Sequence, residues 1–365
     1  MNKSIIKDVQ VKAIELPLKK QWKISLYAQS TRTHAVLRII TEDGIVGYGE
    51  AAPSPAFMGE TGYTIELVVN KYLKPVLIGQ NIFDVDTIHE KMNFAIYGNY
   101  AAKSTIDIAL YDAMGKALDM PVYKLLGGKY REKAELSWVI GMQDLDSSIE
   151  EAREKLSEGY KVLKIKVGNS PETDYKLIEK IRRELGGDVA LRLDANQGYD
   201  YKTALLTFRE IEKFGLESIE QPVRRWDIEG MKMLRQKLQT PIMADESVSD
   251  YHSVNNIIRE RACDIVNVKV GKVGGLTIAK KIAQCLEAAG LTATAGSNLE
   301  VGIGSAASIH FVASTNIVSV PNDLLLGGPL HQYDIIRNKF QIIDGCVLVP
   351  EEPGLGIEVD DDIFK

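Results

Sequence analysis

The sequence predicts an α/β protein: a TIM barrel of the (β/α)8 type, preceded by an α+β domain. Three observations carry this. Beyond residue 128, short apolar runs alternate with amphipathic helical stretches at a spacing of about 25 residues, the rhythm of βα units. Polar and charged residues stand at the C-terminal ends of successive runs, where a parallel barrel builds its site. Before that point the order is strands first and helices after.

In the first part, residues 9–16 and 34–41 are β-rich, and Glu42-Asp43-Gly44 is a hairpin signal leading into Ile45-Val46-Gly47-Tyr48-Gly49-Glu50. Apolar residues then recur at helical spacing over 63–73, 82–94 and 100–118, and the domain ends near Leu125-Leu126-Gly127-Gly128. Two loops are expected at 18–27 and 51–62. They carry Trp22, Tyr27, Pro53, Pro55, Phe57 and Met58. Exposed aromatics are common, but two such loops also suit a pair of lids closing on a ligand.

The predicted barrel strands are 136–140, 161–167, 189–194, 218–221, 241–245, 264–270, 292–295 and 317–320. Buried on both faces, parallel strands read as apolar runs. A doubly wound open sheet is the competing architecture. No Gly-rich dinucleotide fingerprint follows any strand, and Gly271-Lys272 lacks the Walker context.

The second strand, Val162-Leu163-Lys164-Ile165-Lys166-Val167, carries two lysines on one face, because strand side chains alternate. An edge strand with solvated lysines is the plainer alternative. Burial and a like-charged neighbour would lower at least one amine and let it act as a base. The next three strands end in Asp194-Ala195-Asn196, Glu220-Gln221-Pro222 and Asp245-Glu246-Ser247, and the sixth holds Lys269. A single strand-end Asp is commonly a helix cap. Three converging carboxylates repel one another unless a cation neutralises them, and oxygen donors without His or Cys suit Mg²⁺ over zinc. Asp194, Glu220 and Asp245 are therefore the expected metal ligands, with Mn²⁺ as a possible substitute.

The composition narrows the partners. The 365 residues are 45% hydrophobic and 26% charged, with a net charge of −6 and both signs interspersed. That gives no footprint for nucleic acid or an anionic membrane, and points to small molecules. Cys263, Cys285 and Cys346 are odd in number and in no metal-ligand spacing, as expected of thiols in a reducing compartment. The N-terminus has no apolar signal region and no apolar run reaches membrane-spanning length, so a soluble, cytoplasmic protein is expected. His34, His89, His252, His310 and His331 fall outside the strand-end motifs and are expected at the surface or in packing.

Lys-x-Lys, Asp-Ala-Asn, Glu-Gln-Pro, Ala-Asp-Glu-Ser and Asn-Val-Lys, in this order and spacing, resemble the enolase superfamily, in particular its muconate-lactonizing subgroup. The likeness extends to Asp43–Glu50 and to Pro353-Gly354-Leu355-Gly356. It implies a modified (β/α)7β barrel in residues 129–325 and an N-terminal α+β capping domain in 1–128, with 326–365 returning to that cap. It also implies bound Mg²⁺ and removal of the proton α to a substrate carboxylate, and suggests a homo-oligomer. Metal coordination neutralises the second charge that develops on that carboxylate.

Lys166 and Lys269 would then face the α-carbon from opposite sides, with Lys164 tuning Lys166 and contacting the carboxylate. This arrangement supports a racemase or epimerase of an amino-acid derivative such as a dipeptide, N-acyl amino acid or betaine. A muconate-type cycloisomerase or a syn-dehydratase is the close alternative. A Schiff-base aldolase using Lys269 and a non-catalytic carboxylate-binding barrel are the readings from other classes.

Members that resemble dipeptide epimerases carry Asp-x-Asp after the eighth strand. Here Pro321-Asn322-Asp323 supplies only Asp323, for one cationic nitrogen or a turn, and the following Gly327-Gly328-Pro329-Leu330 looks closer to cycloisomerases. Trp22, Phe57 and Met58 suggest a partly apolar specificity pocket, and Trp22 could face a quaternary ammonium. By the same resemblance, Ser297 and Glu300 lie near the substrate carboxylate. Asn196 and Glu246 are expected to orient the ligands and lysines by hydrogen bonding.

Overall fold

The computed structural model describes residues 4–319 and 321–364. Strands β1 (Ile6–Lys23), β2 (Ala28–Thr41) and β3 (Val46–Ala51) form an antiparallel meander. Helix Tyr100–Ala117 lies across it, and the approach is close because Gly47 and Gly49 have no side chain. A Cβ on Gly49 would stand 1.8 Å from the carbonyl oxygen of Thr105, and one on Gly47 2.1 Å from that of Ala109. This packing builds one apolar core around Leu37, Ile39, Ile106 and Leu110. A second core fills the rest of the molecule.

β4 (Lys133–Glu135) leads into seven parallel strands: β5 (Trp138–Ile140), β6 (Val162–Lys166), β7 (Ala190–Asp194), β8 (Leu216–Glu220), β9 (Ile242–Ala244), β10 (Ile265–Val268) and β11 (Thr292–Ala295). They are paired in that order, with helices between them. Lys166, Asp194 and Glu220 end β6, β7 and β8, and Asp245 and Lys269 directly follow β9 and β10, so these charges gather at one end of the sheet.

The eighth stave differs from the predicted strand 317–320, whose last residue, Val320, lies outside the described residues, as do Met1–Lys3 and Lys365. Single parallel bridges, Ala293 with Val318, Leu136 with Asn322 and Gly296 with Asp323, join the two edges of the sheet in place of a ladder. Pro321 lies among these bridges and has no N–H to donate, which breaks a regular ladder. Asn322 and Asp323 on its far side donate to Glu135 and Ala295 at 2.8 Å each and close the barrel.

The 18–27 stretch is also no simple loop. β1 continues to Lys23 through a register shift between Pro17 and Trp22, and only the hairpin tip is irregular. The reason is a second partner. Lys19 donates to Leu330, and Gln332 donates to Pro17, so the arm is held by the chain near its C-terminus.

β12 (Ile342–Ile343) pairs antiparallel with β13 (Cys346–Leu348), and β13 pairs antiparallel with β4, below the barrel. The remaining tail runs along the first sheet and its helix. Leu355 donates to Asp112, Gly354 accepts from Val122, and Phe364 packs under the Arg38 guanidinium at 4.5 Å. No helix among the described residues is long and apolar enough to cross a membrane.

Candidate active site

Lys164 and Lys166 pair with Arg192 and Asp194 across β6 and β7, and Asp194 pairs with Glu220 across β8. Asp245 follows directly after β9, and Lys269 directly after β10. Asp194, Glu220, Asp245, Lys164 and Lys269 are all buried. The predicted lysines and carboxylates thus meet at one end of the barrel.

They meet as ion pairs. Lys164 Nζ lies 2.6 Å from Glu220, 2.9 Å from Asp323 and 3.3 Å from Asp194. Lys166 Nζ donates to Asp194 Oδ2 at 2.5 Å and to Asn196 Oδ1 at 2.8 Å. Lys269 binds Asp245 Oδ2 at 2.6 Å, and Lys272 binds its Oδ1 at the same distance.

Of the two strand lysines, one of which was expected to be lowered, Lys164 is held the other way. Burial does oppose the Lys164 charge, but Asp323, Glu220 and Asp194 outweigh it and hold the amine well above its ordinary range. Lys269 is likewise raised, since Asp245 and Glu220 overcome its burial. Among the acids, burial and the Asp194 charge push Glu220 up to about 8. An acid and a base are raised together where negative charge is in excess.

That excess is the test of whether a cation fits. Three buried carboxylates on neighbouring strands offer only oxygen donors, the chemistry of a hard divalent ion such as Mg²⁺. Among the described residues no three acidic side chains are already converged as an ion cage. Each of the three is bonded to a lysine ammonium, so ion and lysines compete for the same oxygens.

Above this floor lies a narrow cleft, lined by Lys164, Lys166, Lys269, Asn196, Ser297, Asp323, Trp22 and Phe57 among the predicted residues. Trp22 is buried, and its ring edge stands over Gly141. Both stretches expected as lids touch the barrel: Ser25 donates to the carbonyls of Ala195 and Asn196 at 3.0 Å, and Arg225 donates to the carbonyl of Phe57 at 2.6 Å. Met58 stands outside the lining and reaches it through Asn298, whose amide donates to its sulfur at 3.7 Å. Glu300 lies behind the wall, with Oε2 taking the Asn298 amide at 2.7 Å and Oε1 without a protein partner. Burial and the nearby Glu50 push Glu300 up to about 7. Glu246 holds Asn196 at 3.0 Å.

Asp323 lines the cleft, but its oxygens are already engaged. Oδ1 takes Arg192 at 2.9 Å and Ser137 at 2.5 Å, and Oδ2 takes Lys164 at 2.9 Å. Arg192 was not among the predicted site residues, although its alternation with Asp194 on β7 puts both on one face. Gln221 was also missed in its role. Its Oε1 accepts from the amides of Asp245 and Ser247, at 3.1 Å each, and so shapes the turn that carries Asp245. Lys272, dismissed with Gly271 as a stray phosphate-loop pair, clamps Asp245 through its carboxylate and its carbonyl.

Comparison with known proteins agrees with this geometry. Residues 6–127 match the mandelate racemase / muconate lactonizing enzyme N-terminal domain, and residues 147–363 match the enolase C-terminal domain-like family. An L-Ala-D/L-Glu epimerase of Clostridium acetobutylicum is 38% identical over 97% of this chain and 99% of its own. An N-succinyl-L-Arg/Lys racemase of Bacillus cereus is 36% identical over 98% and 96%. Among solved structures, the dipeptide epimerase of Cytophaga hutchinsonii, complexed with Mg and D-Ala-L-Val, superimposes with a TM-score of 0.93 at 31% identity, covering 98% of this chain and 97% of the other. The muconate lactonizing enzyme of Pseudomonas fluorescens, complexed with muconolactone, gives 0.95 at 32%, covering 99% and 98%.

Proposed function

Because the chain belongs to the mandelate racemase / muconate lactonizing enzyme family of the enolase superfamily, we propose that it is an isomerase that racemises or epimerises an amino-acid derivative by 1,1-proton transfer. The observation that carries this is the presence of Lys166 and Lys269, from strands four places apart in the sheet, in the wall of one cleft. A base on each side of a carbon is what inversion requires, and binding alone requires neither.

Asp194, Glu220 and Asp245 would hold Mg²⁺, which when bound supplies a Lewis acid for the substrate carboxylate. Lys166 Nζ takes the α-proton from one face, and the C–H electron pair moves into the carboxylate as an enediolate. Lys269 Nζ delivers its proton to the opposite face, re-forming the C–H bond with inverted configuration. Lys164 stays protonated against the carboxylates and favours the added negative charge. Asn196, held by Glu246, keeps Lys166 aimed. The three buried carboxylates gathered beside the lysines have no role in a Schiff-base reaction, which counts against the aldolase reading.

Of the candidate substrates, N-acylated amino acids fit better than those with a free ammonium or a betaine cation. Asp323, the carboxylate lining the cleft, is neutralised by Lys164 and Arg192 and has no charge left for a substrate cation. The test is α-hydrogen exchange in D₂O with Mg²⁺, over N-acyl amino acids, free dipeptides, betaines and muconates. Exchange with loss of optical activity supports the reading. Exchange accompanied by elimination or ring closure replaces it with the lyase or cycloisomerase alternative.

A further inference from the structure

We propose that Arg32 selects a substrate with a second anionic group, taking a terminal carboxylate carried on a substituent away from the reacting α-carbon. This deepens the reading of the cleft as a site of α-proton transfer and rests on it.

Arg32 lies on β2, is 4% exposed, and lines the cleft beside Tyr27 and Phe57. A guanidinium has five N–H donors in a rigid fork. The protein engages two of its nitrogens: one donates to the Ala52 carbonyl at 2.9 Å and another to the Tyr27 hydroxyl at 3.4 Å, while Nε has no protein partner. Both acceptors are neutral. Arg192, also buried, shows the usual arrangement, with Glu217 and Asp323 each at 2.9 Å. No such ion pair forms at Arg32 among the described residues. A buried cation without a counter-charge is costly, and an anion entering the cleft would complete it.

The rest of the wall points the same way. Lys164, Lys166 and Lys269 are at the barrel end of the cleft, and Arg32 belongs to the sheet that covers it. The one acid in the lining, Asp323, is spent on Lys164 and Arg192. Glu300 feels the Arg32 charge but makes no bond to it. Burial and Glu50 push its carboxyl up to about 7, and its Oε2 is held by Asn298. Arg32 therefore puts an uncompensated positive charge in the wall away from the carboxylate cluster that would hold Mg²⁺ and the reacting carboxylate, which suits a dianion over a zwitterion.

The second carboxylate could sit on the acyl arm or on the amino-acid side chain. Two matched pairs separate these: N-succinyl-L-methionine against its terminal amide, and N-acetyl-L-glutamate against N-acetyl-L-glutamine. Each is assayed for α-hydrogen exchange in D₂O with the Mg²⁺-supplied enzyme. The wild type is expected to favour the anionic member of one pair by about tenfold to a hundredfold in kcat/KM, the value of a charged hydrogen bond. Arg32→Met should bring the anionic-to-neutral ratio of kcat/KM to about one, through a rise in KM for the anionic member. Arg32→Lys should retain part of the preference, and carries the comparison if Arg32→Met does not fold.

Equal use of anionic and neutral members by the wild type overturns the proposal and leaves α-proton transfer standing. Equal slowing of both members by Arg32→Met and Arg32→Lys assigns Arg32 to structure alone and overturns it too. Exchange with none of the four compounds removes the proposal together with the N-acyl reading beneath it.

Discussion

The Glu50 carboxylate accepts the backbone N–H of Gly304 at 2.8 Å, and so ties β3 to the helix Gly302–Ser314 that follows the Ser297–Glu300 loop. Its other oxygen takes the amide of Val301 and Nδ1 of His34, each at 2.8 Å. These are amides that a helix N-terminus leaves without partners of its own. Glu50→Ala strands three buried donors and should lower stability by about 3 kcal/mol or more, read from urea unfolding. A loss below about 1 kcal/mol would mean that the contact is incidental.

His310 sits under Tyr123 and bonds the Leu355 carbonyl, and burial lowers its pKa to about 4. An unfolded histidine titrates near 6.5, so between these values the unfolded state binds the extra proton. The stability that His310 confers is complete above pH 6.5 and is lost as pH falls toward 4. Relative to His310→Asn, the wild type should lose about 3 kcal/mol between pH 7.5 and 4. A pH-independent difference would refute the neutral buried imidazole.

Lys166→Met and Lys269→Met should each stop racemisation, by about a thousandfold or more. Their exchange patterns should differ. Each variant retains solvent exchange with the one enantiomer whose α-proton faces the surviving lysine, as followed by NMR in D₂O. Identical loss for both enantiomers in both variants contradicts bases on opposite faces.

Stripping with EDTA should abolish exchange, and Mg²⁺ should restore it. A second readout is thermal. At a Mg²⁺ concentration of about 100 times Kd, binding to the folded state alone adds about 2.7 kcal/mol, visible as a rise in Tm by calorimetry. Asp194→Asn and Asp245→Asn should each shrink that rise. If Tm ignores Mg²⁺ in the wild type, the three carboxylates are not its ligands.

Much of the barrel was legible because its signals are local. Apolar runs that end in Asp194, Glu220 and Asp245 place their charges by strand period alone, and Lys164 and Lys166 share a face for the same reason. What stayed hidden depends on distant partners. Asp323 reads as a solitary acid until barrel closure brings Arg192 to it across 131 positions of sequence. The amines read as mutually repelling until the neighbouring strands bring carboxylates to them. Arg32, in the polar run Gln29-Ser30-Thr31-Arg32-Thr33, reads as solvent-exposed, and it is the Ala52 and Tyr27 contacts that bury it. The arm that carries Trp22 looks like a loop because its second partner lies more than three hundred residues away, around Leu330.

The cleft has two parents: Trp22, Tyr27, Arg32 and Phe57 come from the first sheet and its connections, while the lysines and carboxylates come from the barrel. Selection can therefore act on recognition and on reactivity separately. After a gene duplication, one copy can accumulate changes in the first sixty codons and acquire a new nutrient while its lysine and carboxylate set is inherited intact. The same separation recommends exchanging the two lid segments as a unit when such an enzyme is to be retargeted.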